Sequence, residues 1–348
     1  MLMRPRVLSI LTTRQCTAAC DHCCIGASPR AKGAIPVERI HALIDEAKRI
    51  PTIERIVFTG GECFLLGKEL ESLIAHAHEL EFRTRAITNG YWAVSEAAAA
   101  ARAQALRLAG LTELMLSTGT FHQRFVPVAR VVHAAKAAAR VGIVVRISVE
   151  RADQSEFDDA GLCQELAPEI ASGKVHVSLD PWIADAGGRG STEITHRRHA
   201  GNPAFDAEGR CAQILNVVTV TPDQQVLACC GFPAEHLPSL RMGAVSDRPL
   251  DVVLREEPLD LLKMWLHISG PVGIGEFVRR YVSDFKLPTC VSICQACVAL
   301  QRSEVALRVI TEHASEIMAD VTAHCAALQT DFEWDHVVRK DNQGALAS

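Results

Sequence analysis

Cys16, Cys20 and Cys23, spaced C-x3-C-x2-C, follow a short apolar run at residues 6–13. Three thiolates from one tight loop can hold three irons of a cubane [4Fe–4S] cluster and leave the fourth iron open to a ligand. Soft thiolates select iron–sulfur clusters or zinc, and an open position is where chemistry happens. Structural zinc takes four ligands, usually as two C-x2-C pairs or with histidine. His22 could complete such a set, but its place between Cys20 and Cys23 would strain the loop.

The elements that must position this loop are readable from periodicity. Strand-like runs fall at residues 6–13, 55–59, 83–88, 113–117, 144–150 and 174–180, and amphipathic helical stretches at 36–50, 68–80, 95–109, 128–141 and 156–170. Strands joined by helices of this length favour parallel pairing with right-handed crossovers. The alternation stops near residue 182, so an open six-unit barrel fits better than a complete eight-unit one. The expected fold is α/β, a partial (β/α)6 TIM-like barrel over residues 1–200. A small cysteine-rich domain follows over 201–300, then a C-terminal helix and tail over 301–348.

Bulk composition narrows the function classes. The 348 residues are 48% apolar and 22% charged, as in ordinary globular proteins, and can bury a large core. A net charge of −5 offers no basic footprint for nucleic acid. No apolar run approaches the roughly 18 residues of a membrane span, and no secretory h-region opens the chain. Thirteen cysteines without an export signal read as metal ligands in a reducing cytoplasm.

In barrels of this kind chemistry sits at the C-terminal ends of the strands. The first strand delivers the three cysteines, the second runs into Gly60-Gly61-Glu62, the third ends at Asn89 and the fourth at Ser117. Paired glycines let a small ligand approach the backbone closely, and the adjoining carboxylate could take an ammonium group. Alone, Gly-Gly-Glu could equally be an ordinary turn.

Over roughly residues 6–200 these motifs together resemble the radical S-adenosylmethionine (radical SAM) superfamily. The resemblance implies that Cys16, Cys20 and Cys23 hold a SAM-binding [4Fe–4S] cluster and that Gly60, Gly61 and Glu62 bind the methionine amine. It places Asn89 and Ser117 against the ribose or the methionine carboxylate, and Gly187-Gly188-Arg189-Gly190 near the adenosine. Two features depart from the pattern: His22 stands where an aromatic residue is usual, and Cys24 and Cys63 adjoin the motifs as bystanders. The implied chemistry is reductive cleavage of S-adenosylmethionine by an electron at about −400 mV or below. The 5′-deoxyadenosyl radical so formed abstracts a substrate hydrogen. A flavodoxin- or ferredoxin-type donor is the implied electron source.

Beyond residue 200 cysteines return at Cys211, Cys229, Cys230, Cys290, Cys294, Cys297 and Cys325. Residues 219–229 read as a hairpin with Pro222-Asp223 in its turn. This region resembles the SPASM and twitch auxiliary-cluster domains, which implies one auxiliary [4Fe–4S] cluster on Cys211, Cys229, Cys294 and Cys297. Cys230 could replace Cys229, since strand alternation lets only one of them face the cluster. Cys290-x3-Cys294-x2-Cys297 repeats the first motif's spacing, leaving a second auxiliary cluster with Cys290 and Cys325 open. A zinc ribbon is the structural alternative. Residues 298–328 carry apolar positions at helical spacing and are expected as one helix packing on the barrel.

Enzymes resembling this arrangement modify ribosomally made peptides, by crosslinking or epimerisation, or act on small biosynthetic intermediates. The precursor peptide is the leading expectation, although only 15 residues precede Cys16 and leave little room for a leader-binding domain. His122 could act as an acid–base group or orient its loop. A non-catalytic chain whose cysteines bind zinc or relay electrons is the alternative from another class.

Overall fold

A computed structural model describes residues 4–151, 157–181, 210–230, 234–256, 260–290 and 292–328. The expected alternation is realised strand by strand. β1 (Val7–Leu11), β2 (Arg55–Thr59), β3 (Arg83–Thr88), β4 (Glu113–Gly119), β5 (Val144–Arg151) and β6 (Val175–Pro181) are separated by helices. These are α1 (Val37–Lys48), α2 (Lys68–Glu79), α3 (Glu96–Leu108), α4 (Val128–Arg140), α5 (Asp159–Glu165) and α6 (Ala167–Ala171). α1 buries Ile40, Leu43, Ile44 and Ala47, the i, i+3, i+4, i+7 stripe of a helix facing a sheet. Ser95 caps α3 by accepting from the Ala98 amide at 3.2 Å. The expected helix at 156–170 is split at Leu166, because Pro168 in the first turn of α6 has no N–H to continue the ladder.

Parallel pairing holds throughout the first six strands, with Val7 opposite Arg55, Arg55 opposite Arg83 and Arg85 opposite Glu113. Side chains alternate across the sheet. Leu8, Ile10, Ile56 and Phe58 are fully buried in the main core, while Ser9, Val57 and Arg85 line a cavity on the other face. Low in that inner face, buried Glu113 meets Arg85 at 2.7 Å, Arg55 at 3.0 Å and Arg146 at 3.0 Å. Those arginines hold its carboxyl below the ordinary value despite burial, which pushes the other way.

The C-terminal hairpin continues the barrel's own sheet. β7 (Val217–Val220) runs parallel to β1, with Val7 opposite Val217. β8 (Gln225–Leu227) and β9 (Arg241–Ala244) follow antiparallel, giving the order β6-β5-β4-β3-β2-β1-β7-β8-β9. Among the described residues the sheet is open, as expected for a partial barrel. α7 (Leu250–Glu256) and α8 (Leu261–Arg279) then lead to α9 (Ile293–Arg302), α10 (Glu304–Glu312) and α11 (Ala314–Leu328). The single helix expected over 298–328 is therefore three. It breaks at Ser303, whose extended backbone lets its hydroxyl cap α10 at the Ala306 amide, and again at His313. α11 packs on α8. Gly187, Gly188, Arg189 and Gly190, the tail after residue 328 and the Cys325 side chain lie outside the described residues. Among the described residues no helix is long and apolar enough to cross a membrane.

Candidate functional site

The loop between β1 and α1 is pinned at its base. Thr12 donates to the Thr59 carbonyl at 2.8 Å, Arg14 to Gly33 at 2.8 Å and Cys16 to Ser28 at 3.1 Å. Within this arch Cys16 and Cys20 are buried beside Ala18, Ala27 and Phe121, and Cys23 packs against the same small apolar cluster. The amides of Ala18 and Ala27 point at the Cys16 and Cys23 sulfurs, at 3.4 and 3.2 Å. Burial pushes the Cys16 thiol up to about 11, with Glu62 and Cys23 adding to it. A bare thiolate is costly there, and a bound metal ion would supply the compensating charge.

Gly60 and Gly61 are dictated by this loop. The Gly61 amide donates to the Thr13 carbonyl at 2.6 Å and the Glu62 amide to Gln15 at 2.9 Å. A Cβ on Gly60 would stand 2.5 Å from the Thr13 carbonyl oxygen, and one on Gly61 2.3 Å from that of Gln15. Gly60 also sits at φ +136°, which favours glycine. What the paired glycines let come close is thus the cysteine loop itself. Glu62 is 1% exposed, and its carboxylate accepts from the Asn89 amide at 2.9 Å and the Phe64 amide at 3.1 Å. Burial raises it to about 7, against those hydrogen bonds. Glu62 thereby ties the end of β3 to the turn after β2. Asn89 reaches the loop: its side-chain amide donates to Thr17 Oγ1 at 3.1 Å and lies 3.7 Å from Cys16 Sγ.

These elements surround a cavity of about 460 Å3 that extends along the inner face of the sheet. Cys16, Cys20, Cys23, Gly60, Gly61, Asn89 and Ser117 all line it, and Cys229 and Cys230 line it as well. Sequence reasoning missed two carboxylates on its wall. Glu150, at the end of β5, accepts from the Phe121 amide at 2.6 Å and faces His122 Nδ1 at 3.1 Å. The strand-end rule that found Asn89 and Ser117 would have found it. Glu235 is held by Arg14 at 2.7 Å, a contact between loops 221 residues apart that no local pattern signals.

The donor chemistry suits a cluster. Four thiolates on one zinc at about 2.3 Å would stand about 3.8 Å apart. Among the described residues, the set of three donor atoms within 4.8 Å of one another is Cys20, His22 and His122, not the three loop thiols.

The sequence profile of the radical SAM superfamily matches residues 10–151. YydG of Bacillus subtilis (strain 168), named as a peptide biosynthesis protein, is 32% identical over 124 residues, 36% of this chain and 39% of YydG. Residues 10–151 are a radical SAM domain. Among solved structures, Streptococcus suis SuiB bound to S-adenosylmethionine superposes with a TM-score of 0.53 at 17% identity, over 74% of this chain and 67% of SuiB. SuiB bound to its precursor peptide SuiA gives 0.55 at 15%, over 74% and 66%. anSMEcpe with bound AdoMet and the Cp18Cys peptide gives 0.51 at 13%, over 93% and 99%. These likenesses show the fold.

The radical SAM domain contains the loop cysteines, Gly60, Gly61, Glu62, Asn89 and Ser117. The C-terminal thiols lie beyond it, and the structure gathers them. Cys294 and Cys297 stand three apart on α9 and share a helix face. The Cys294 thiol is held well above its ordinary value by burial and by neighbouring Cys211, Cys297, Cys230 and Cys24. Burial and Cys211 raise Cys297 to about 12. Cys230 and Cys294 each lie close enough to Cys211 to feel its charge, while Cys229 is buried against the main core and lines the cavity beside Cys230. β8 ends at Leu227, so strand alternation does not govern that choice. Gln301 Nε2 lies 2.9 Å from Cys297 Sγ. Cys290 is placed differently: its thiol meets the Pro288 carbonyl at 3.1 Å.

Proposed function

We propose that this radical SAM enzyme modifies a ribosomally made peptide by abstracting a hydrogen from one of its residues. Cys16, Cys20 and Cys23 hold the SAM-binding [4Fe–4S] cluster, and Gly60, Gly61, Glu62, Asn89 and Ser117 form the SAM subsite. When loaded, the cluster and S-adenosylmethionine supply the hydrogen-abstracting radical. The chain's own part is positional: the glycine turn and Asn89 fix the cysteine loop at the mouth of the cavity, and the apolar wall of Ala18, Ala27 and Phe121 limits water. An auxiliary cluster on Cys211, Cys230, Cys294 and Cys297 completes the proposal, with Cys230 taking the place expected of Cys229.

The observation that carries this reading is the shared cavity, lined by the three loop cysteines and also by Cys229 and Cys230. The peptide class is supported by the name of YydG and by the precursor peptide bound to SuiB. Anaerobically reconstituted protein, reduced with dithionite in the presence of S-adenosylmethionine, should release 5′-deoxyadenosine, and Cys20→Ala should not. A short peptide encoded beside this chain should change mass in the same reaction. Cys294→Ser with Cys297→Ser should lower bound iron by half. Zinc in place of iron and sulfide, with no 5′-deoxyadenosine formed, would overturn the reading.

A further inference from the structure

Cys20, His22 and His122 bring one thiol and two imidazoles within 4.8 Å of one another at the edge of the cavity. We propose that, in the chain lacking its cluster, these residues bind a single thiophilic divalent cation, zinc foremost, and that a bound ion blocks cluster assembly.

Thiolate sulfur and imidazole nitrogen are the donors zinc takes, open sites use three protein ligands, and zinc draws such ligands to about 2.0–2.3 Å. The present spacing requires only small side-chain movements to close. Glu150 Oε2 stands 3.1 Å from His122 Nδ1, so that nitrogen carries the proton and Nε2 becomes the ligating atom. The same carboxylate is fixed by the Phe121 amide at 2.6 Å. His22 is oriented by stacking on Phe121, with centroids 5.1 Å apart, and meets the His122 ring edge-on at 4.8 Å. The strain that argues against His22 closing a set with the loop cysteines is eased, because this set leaves out Cys23 and takes His122 from the loop after β4.

Two metal states then compete for one sulfur. The cluster takes Cys20 with Cys16 and Cys23, and the single ion takes Cys20 with the two histidines. Binding of the ion releases the Cys20 thiol proton to solvent and changes no oxidation state. Only the competition rests on the proposed cluster site; ion binding stands independently of it.

Cobalt(II) is the probe, titrated anaerobically into the metal-free full-length chain carrying Cys294→Ser and Cys297→Ser. Tetrahedral d–d bands with a sulfur-to-cobalt charge-transfer band are expected. His22→Ala and His122→Ala should each weaken binding at least tenfold. Glu150→Gln, which touches no metal, should weaken it about 10- to 100-fold, the usual cost of a lost outer-shell partner. His122→Cys, which keeps a ligand, should restore binding and shows that loss in the alanine variant is not unfolding. One equivalent of zinc added first should slow iron–sulfur reconstitution in the parent chain but not in His122→Ala. Equal cobalt affinity in parent and histidine variants would overturn the site. Equal zinc inhibition in parent and His122→Ala would overturn the competition. 5′-Deoxyadenosine release by zinc-free reconstituted protein reports on the proposed activity separately.

Discussion

Glu62 sits where a negative charge is costly, and its partners do not remove that cost. Two backbone amides favour the carboxylate, yet burial outweighs them and raises it from 4.5 to about 7. The sign of the consequence follows from proton counting. Between pH 4.5 and 7 the folded chain keeps a proton that the unfolded chain has lost, so stability falls as pH rises through that window. The amount is on the order of 3 kcal/mol, complete above pH 7. Urea unfolding of the cluster-free chain at pH 5 and pH 8 measures it, and Glu62→Gln should flatten the difference. An unchanged slope in that variant would assign the pH dependence elsewhere. The same residue shows a limit of reading motifs. Its type and spacing were legible, but its burial against Asn89 depends on how β2 and β3 lie together.

At the scale of elements, the first six strands and their helices were legible because apolar periodicity and strand order are local properties. Helix ends fell within two residues of expectation for α1 to α4. α8 was not legible, because it is apolar on nearly every side and contains Gly270-Pro271, which erases a helical stripe and introduces a break. β9 is short and gave no alternation to read. The expectation of Cys229 over Cys230 rests on strand alternation, which does not reach the pair because β8 ends at Leu227. The turn after β2 shows what sequence spacing cannot supply. Gly60 and Gly61 are required by a loop more than 40 residues earlier, packed on their backbone. Gly61→Ala should therefore leave circular dichroism and overall folding intact while displacing the loop at Gln15. Iron bound after reconstitution should fall by the share held by that loop, and S-adenosylmethionine affinity by tenfold or more, about 1.4 kcal/mol. Full iron loading in this variant would show that the loop adapts.

The whole molecule is organised around β1. All five of its residues are buried, and it pairs in parallel with β2 on one side and β7 on the other. One apolar core runs from Leu8 on β1 to Val253 on α7, Trp265 on α8 and Val321 on α11. Polar ties reinforce the joint: Glu46 on α1 accepts from the Leu250 amide at 2.7 Å, and Arg39 donates to the Val245 carbonyl at 2.9 Å. The strand that launches the cysteine loop is thus interior only while the C-terminal hairpin is present. A fragment ending at residue 209 would expose the β1 edge, with Leu8 and Ile10 beneath it, as an unpaired template for another chain. It should accumulate as insoluble or self-associated material, although it contains the whole radical SAM domain. A chain shortened to residue 312 loses α11 but keeps every described strand, and should keep the full chain's elution volume and a cooperative thermal transition. Size-exclusion chromatography and melting curves of both fragments decide the matter. If the shorter fragment is monomeric and melts like the full chain, β7 decorates the sheet and does not complete it, and the cysteine loop owes its placement to the first six strands alone.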